Sequence, residues 1–524
     1  MVSAALSLLP ENVLSRNPIV YFLLTDRFHA AGGAAWPVST GENVGKFHGG
    51  NFSGITEKIH AGWFGALGVN AIWISAPYQQ ILGPATVDPF EHYAYHGYWP
   101  LDFTVPDARF GTGAEFGAMV DAAHAAGIRV VLDVVMSHPG YFDPPSLRAT
   151  CADGALAEPA ALRARWWGSD WVCMPGEGDT VPAPNAPTPP GHGLARFRTE
   201  SEHHVTLPAF LAGKADSGAV HETATTVRGY LIGWLSAWVR TYGIDGFRCD
   251  SGKHVDLRTW RELKQACVTA LADWKARHPA KRIDQAPFWM TGEVFGNGIA
   301  RNDYHDSGFD SLINFSFQHE IATIFGDTDT GEDYPRSLAL HRLDRLYARY
   351  ATTLAAGHQV LSYLSSHDTV LCDQARTPYA AAALMLAPGG VQIFYGDESG
   401  RQHGPDTPVD PAQAARSDMN WATLDPARLA HWCRLGQFRS RHPAIATGVH
   451  TRLCVDPYVF SRTLPDSGDA VLVVLCHVGA LDLLVESVFE EGTRLRDADG
   501  ERHYTVCGGR VQVDIDGILL LERA

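Results

Sequence analysis

From residue 19 to about residue 398 the chain alternates between short apolar runs and longer stretches whose apolar residues recur at helical spacing. The runs are Ile19 to Thr25, Val69 to Ala76, Ile128 to Met136, Ile244 to Asp250, Phe288 to Val294, Phe309 to Phe315, Val360 to Ser366 and Val391 to Gly396. Short runs rich in Val, Ile, Leu and aromatics suit strands buried on both faces. Between several of them the period shifts to 3.6, as in Val227, Tyr230, Leu231, Trp234, Leu235 and Trp238, and in Leu257, Trp260, Leu263, Cys267, Leu271 and Trp274. Those stripes predict helices packed on a core rather than cofactor contacts. Strand and helix in alternation build a parallel sheet, and eight such units predict a closed (β/α)8 TIM barrel of the α/β class.

Two regions break the rhythm. From Pro139 to about Glu222 the connection after the third strand is far longer than usual and carries the Pro-rich stretch VPAPNAPTPPGHG, so residues 139–222 are expected to form an inserted subdomain. Beyond residue 448 the helical period gives way to alternating runs such as TRLCV, AVLVVLCHV and RVQVDIDGILLLE, separated by Gly, Asp and Pro turns. They predict a C-terminal antiparallel β-sandwich over 449–524, leaving 1–138 and 223–448 to the barrel. No repeat of 20–50 residues is present, which disfavours a solenoid or propeller.

A chain of 524 residues exceeds what one hydrophobic core usually serves, in keeping with three units. Its 14 Trp, 17 Tyr and 23 Phe supply a core and leave aromatic faces for a ligand such as a sugar. A net charge of -16 without a basic stripe argues against nucleic acid as a partner. No apolar run is long enough to cross a bilayer, so no membrane partner is expected. The opening MVSAALSLLP has no basic segment or cleavage pattern, and the compartment stays open: periplasmic or secreted if a leader was removed, cytoplasmic otherwise. Nine Cys without CxxC spacing suggest free core thiols rather than a disulfide framework or zinc site, although Cys151 and Cys173 could close a local loop in an oxidising compartment.

In a barrel of this kind the C-terminal strand ends share one mouth, and four of them carry polar groups: DVVMSH, GFRCDSGKH, TGEVFG and SYLSSHDT. Any one alone could be a loop cap; four together point to a site. Arg248 and Asp250 lie two apart on one strand and so face the same side, where the guanidinium can hold the carboxylate ionised as a nucleophile. Glu293 has the apolar neighbours Phe288, Trp289, Val294 and Phe295, which would raise its pKa and keep it protonated as a general acid. Asp368 beside His367 supplies a third carboxylate. One group to attack, one to protonate a leaving oxygen and one to grip hydroxyls is what glycosidic cleavage needs.

The motifs FHGGNFSGI, WISAPYQQI, HYAYHGYW, DVVMSH, GIDGFRCDSGKHV, FWMTGEVFG, YLSSHDT, VQIFYGDES and RSDMNW stand in an order and spacing that resembles glycoside hydrolase family thirteen, the α-amylase family, and within it the bacterial periplasmic type. The resemblance spans nearly the whole chain. It implies a retaining hydrolase of α-1,4-glucosidic bonds in starch or maltodextrins, with Asp250 the nucleophile, Glu293 the acid and then base, and Asp368 the transition-state stabiliser. It also implies Tyr98 as a stacking platform for the reactive sugar, and His138, Arg248 and His367 as hydrogen-bonding groups around it. Lys253 and His254 match a contact to the next sugar on the leaving side, and Asp410 with Arg416 match a pair on the other side. The expected partner is an α-glucan or maltooligosaccharide, bound by a monomer.

The chain also departs from the family pattern. Ser137 stands where the family usually has the Asn that helps hold a structural calcium between barrel and insert, and a hydroxyl is a poorer calcium ligand. LPAFLAGKADSG lacks the acid common at that point of the insert, and the loop HAAGGAAWPVSTGEN lacks the Asp and Asn of calcium-binding relatives. No cofactor is therefore expected to be required, and a structural calcium is put in doubt. Cys249, between Arg248 and Asp250, is expected to point away from the lumen as packing. An α-glucan transglycosylase or an α-glucosidase could use the same carboxylates, and a barrel kept as a non-catalytic scaffold is a reading from another class. A metal-dependent barrel hydrolase would want HxH or ExxH spacing, which is not evident.

Overall fold

The structure, a computed structural model of the chain, describes residues 13–32, 44–87, 90–141, 166–174, 194–325, 336–373, 379–405, 411–498 and 502–524. Asp410, Cys151 and the Pro-rich stretch of the insert lie outside the described residues.

Eight strands close a parallel barrel: β1 Ile19–Leu23, β2 Ala71–Ile74, β3 Arg129–Val134, β4 Gly246–Cys249, β5 Trp289–Gly292, β6 Ser311–Asn314, β7 Gln359–Tyr363 and β8 Gly390–Phe394. Each pairs with its neighbours in sequence, and β1 pairs with both β2 and β8. All eight fall within or beside the apolar runs, and nearly every residue in them is buried, as a lumen filled from within and helices packed outside require. The runs extend beyond the ladders at their C-terminal ends, where the chain leaves the sheet and the polar motifs begin.

Helix Val227–Tyr242 starts at Thr226, whose side chain accepts from the Gly229 N–H, and ends at Gly243 in the left-handed region, φ 77°. A Cβ there would lie 2.3 Å from the Trp274 ring of the next helix, Leu257–Arg277, so glycine both stops one helix and admits the other. Val227, Tyr230, Leu231, Trp234, Leu235 and Trp238 are all buried, as their spacing predicts.

The connection after β2 is itself structured: strand Tyr78–Gln80 pairs with Pro100–Pro106, and the segment between them carries HYAYHGYW. After β3 the described part of the insert is built around Trp166, Trp167 and Trp171, all buried. Val172–Cys173 pairs with Arg196–Phe197. Trp171 lies parallel to Trp234 of the barrel helix at 5.9 Å, which seats the insert on the barrel.

The tail is a six-stranded antiparallel sheet formed from Val449–Cys454, Tyr458–Leu464, Asp469–Leu484, Arg494–Asp497, His503–Thr505 and Arg510–Arg523. Alternation along Asp469–Leu484 serves two cores. Val471, Val473 and Leu475 join the large core of the barrel, whereas Leu472 and Val474 join a second core within the tail. Cys173, Cys249 and Cys267 are buried.

Candidate active site

Arg248 organises the mouth of the barrel. Its position on β4 is in register with Asp133 on β3 and Thr291 on β5, so Asp133 and Arg248 face each other across one ladder. The side chain is 1% exposed and surrounded by acids. Nη1 donates to Asp133 at 2.9 and 3.1 Å and to Asp250 Oδ1 at 2.7 Å; Nη2 lies 3.0 Å from Glu293 Oε1 and 3.9 Å from Asp368 Oδ2. The Trp73 ring lies 5.1 Å from the guanidinium carbon. Cys249, between Arg248 and Asp250, is buried in the core, and burial pushes its thiol well up, as expected of a packing residue.

Four carboxylates around one cation cannot all stay charged in a water-poor site. Burial foremost, with Asp250 and Asp368 adding to it, pushes Glu293 up to about 8, against the pull of Arg248 and of the Ser251 N–H, which donates to Oε2 at 2.8 Å. Of its apolar neighbours, Phe288, Trp289 and Val294 are buried, but Phe295 is 58% exposed. The shift thus comes from depth and neighbouring acids rather than from an apolar cage that includes Phe295. Burial likewise raises Asp133 to about 7 although Arg248 opposes it; this carboxylate also accepts from the Tyr98 hydroxyl at 2.8 Å and Trp73 Nε1 at 3.2 Å. Asp368 goes the other way. Burial would raise it, but His367, Arg416 and Arg248 hold it well below the usual carboxylate range. His367 Nε2 is 3.0 Å from Oδ2, and Arg416 Nη2 donates to Oδ1 at 3.0 Å.

The cleft has a volume of about 660 Å³ and is lined by Asp250, Glu293 and Asp368 together with Tyr98, His138, Lys253, His254, His367 and Arg416. Tyr98 lies nearly parallel to His96 and His367, with ring centroids 5.4 and 5.1 Å away. His138 Nε2 is 3.0 Å from the Tyr98 carbonyl and its Nδ1 2.7 Å from Ser137 Oγ. Burial lowers the pKa of both His138 and His367. Lys253 Nζ donates to the Phe295 carbonyl at 2.6 Å. Arg416, expected to reach a sugar with Asp410, lines the cleft and donates to Asp368 and, through Nε, to the His367 carbonyl at 2.9 Å.

Sequence reasoning gave no role to Asp133, although it opens DVVMSH and sits five residues before His138. It also missed the wall formed by His92, His96, Trp99 and Tyr141. The density of aromatic and imidazole side chains in HYAYHGYW was the available signal.

Ser137 stands where the family pattern puts a calcium ligand. The Ser137 hydroxyl is engaged with His138, and its carbonyl accepts the Phe197 N–H at 2.9 Å. In LPAFLAGKADSG, residues 209–212 form a short helix and Asp216 pairs with Lys214 at 2.8 Å. Among the described residues no group of three or more His, Cys, Asp or Glu side chains could hold a metal ion. Nor is any helix among them long and apolar enough to cross a membrane.

A closed parallel barrel with carboxylates at the ends of β4, β5 and β7 defines the class of barrel glycoside hydrolases. The chain belongs to the α-amylase family: the family described as "Alpha amylase, catalytic domain" matches residues 22–442. It is 41% identical over 512 residues to the periplasmic α-amylase of Escherichia coli (strain K12), covering 87% of this chain and 72% of that protein. A cyclomaltodextrin glucanotransferase of Paenibacillus macerans is 25% identical over 457 residues, 84% of this chain and 57% of the relative. In fold it is similar to the α-amylase of Geobacillus thermoleovorans solved with acarbose: TM-score 0.67, 20% identity, 98% of this chain and 100% of that one. The chain is thus an α-amylase-type hydrolase.

Proposed function

We propose that this chain hydrolyses α-1,4-glucosidic bonds of starch or maltodextrins with retention of anomeric configuration. The observation that carries the reading is Arg248, whose two terminal nitrogens hold Asp250 and Glu293 side by side. Sharing one guanidinium favours the separation of about 5–5.5 Å typical of retaining pairs over the wider gap that inverting pairs keep for water. Glu293, protonated near neutrality, gives its proton to the leaving glycosidic oxygen while Asp250 attacks the anomeric carbon and forms a glycosyl ester. Glu293, now a carboxylate, takes a proton from water, which attacks the same carbon and releases Asp250. Two inversions give net retention. Asp368, kept charged by His367 and Arg416, faces the cationic sugar of both transition states.

The α-amylase named among the relatives supports hydrolysis, and the glucanotransferase keeps transglycosylation as the alternative, in which an acceptor sugar replaces water. Digestion of maltoheptaose, with products separated by chain length and their new reducing ends read by proton NMR, decides between them. Short maltooligosaccharides with α-anomeric ends are expected; longer or cyclic products would favour the transferase, β-anomers would overturn retention, and no release would return the scaffold. We also propose that the site works without calcium, in line with the engagement of Ser137. A chelator is expected to leave activity within about twofold, and a complete loss restored by added metal would contradict this.

A further inference from the structure

Ser137 is fully buried between the end of β3 and the returning strand of the insert, and its hydroxyl and carbonyl are both engaged. His138 Nε2 faces the Tyr98 carbonyl at 3.0 Å, and a carbonyl only accepts, so Nε2 carries the hydrogen. In a neutral ring Nδ1 is then a bare lone pair, and burial favours the neutral ring. That lone pair needs a donor, and the Ser137 hydroxyl is 2.7 Å away. The carbonyl of Ser137 meanwhile accepts the N–H of Phe197, whose ring meets Trp167 edge-on at 4.9 Å inside the insert.

We propose that Ser137 is a positioning residue that fixes His138 as the Nε2–H tautomer, with its ring aligned on the cleft, and joins the insert strand Arg196–Phe197 to the end of β3 by a hydrogen bond. Only the kinetic consequence rests on the hydrolase reading; the tautomer does not.

The test has two arms. In the wild-type protein labelled with nitrogen-15 histidine, the His138 signal, identified by its absence from the His138→Gln spectrum, should show a protonated Nε2 and a hydrogen-bonded, unprotonated Nδ1 at neutral pH. A proton on Nδ1 overturns the proposal whatever the variants do. On maltoheptaose, Ser137→Ala should lower kcat roughly tenfold with KM within about twofold, and Ser137→Thr should return kcat to within about threefold of the parent. A Ser137→Ala enzyme that loses melting temperature but keeps its kcat would make Ser137 a packing residue and overturn the positioning role. If the wild type itself releases nothing from maltoheptaose, the hydrolase reading fails and the spectrum still decides the tautomer.

Discussion

The mouth of the barrel and the seam between barrel and tail use the same side-chain types in opposite proportion. In the mouth one guanidinium, Arg248, faces Asp133, Asp250, Glu293 and Asp368. At the seam one carboxylate, Glu522, receives Arg441 at 3.0 Å, Arg496 at 2.8 Å and His442, which also lies 2.7 Å from Asp469. Burial foremost, with neighbouring acids adding to it, raises Glu293 to about 8 and Asp133 to about 7. Excess cation drives Glu522 down to about 2 although burial opposes it, and Asp469 and Glu522 raise His442 against the same opposition. The seam is electrostatically satisfied and holds two units together. In the mouth, burial together with the surplus of acid keeps a carboxylic acid protonated.

The seam's contribution to stability has a definite pH window. Glu522 is depressed from 4.5, so its contribution is present above about pH 4.5 and is lost as pH falls toward 2. His442 is raised from 6.5, so its contribution is full below about pH 6.5 and is lost as pH climbs through its folded value. The attachment of the tail is therefore expected to be firmest between about pH 4.5 and 6.5.

The largest effect expected from breaking the comparison is on the acid. Glu293→Gln keeps the shape but has no proton to give, and kcat on maltoheptaose should fall by about a thousandfold or more, measured as reducing ends released. A variant within tenfold of the parent would remove Glu293 from the role. Asp133→Asn comes next. It lowers the acid excess and frees Arg248 toward Glu293, so kcat/KM should drop roughly ten- to a hundredfold, with the alkaline limb moving to lower pH. An unchanged limb would detach Asp133 from the balance. Glu522→Gln should do least: a few degrees off the melting temperature near pH 6, since Arg441 and Arg496 are partly exposed and screened, with kcat within about twofold. A large loss of activity there would mean that seam and mouth are coupled.

The barrel was legible because a strand buried on both faces has few compositional choices, and the eight apolar runs match the eight strands. The positions of Arg248, Asp250, Glu293 and Asp368 were legible because strand ends share one mouth and alternate residues share one side. Interactions set by register and by long connections were harder to read. Asp133 meets Arg248 through pairing between β3 and β4, which are more than a hundred residues apart in the chain, and Arg416 reaches Asp368 from a 3-10 turn beyond β8. The exposure of Phe295 could not be inferred from its apolar type, since a residue past the last ladder bond is free to turn outward. The engagement of Ser137 with His138 depended on the Tyr98 carbonyl, brought in by a connection whose own strand pair the apolar pattern did not reveal.

Burial, with the crowding of carboxylates adding to it, keeps Glu293 protonated at neutral pH, and the pH dependence of kcat/KM on maltoheptaose from pH 4 to 10 tests this most directly. Because the acid form is the active one, the rate should hold through neutrality and fall as pH rises through about 8. A fall already complete near pH 5, where an ordinary glutamate ionises, would contradict the account.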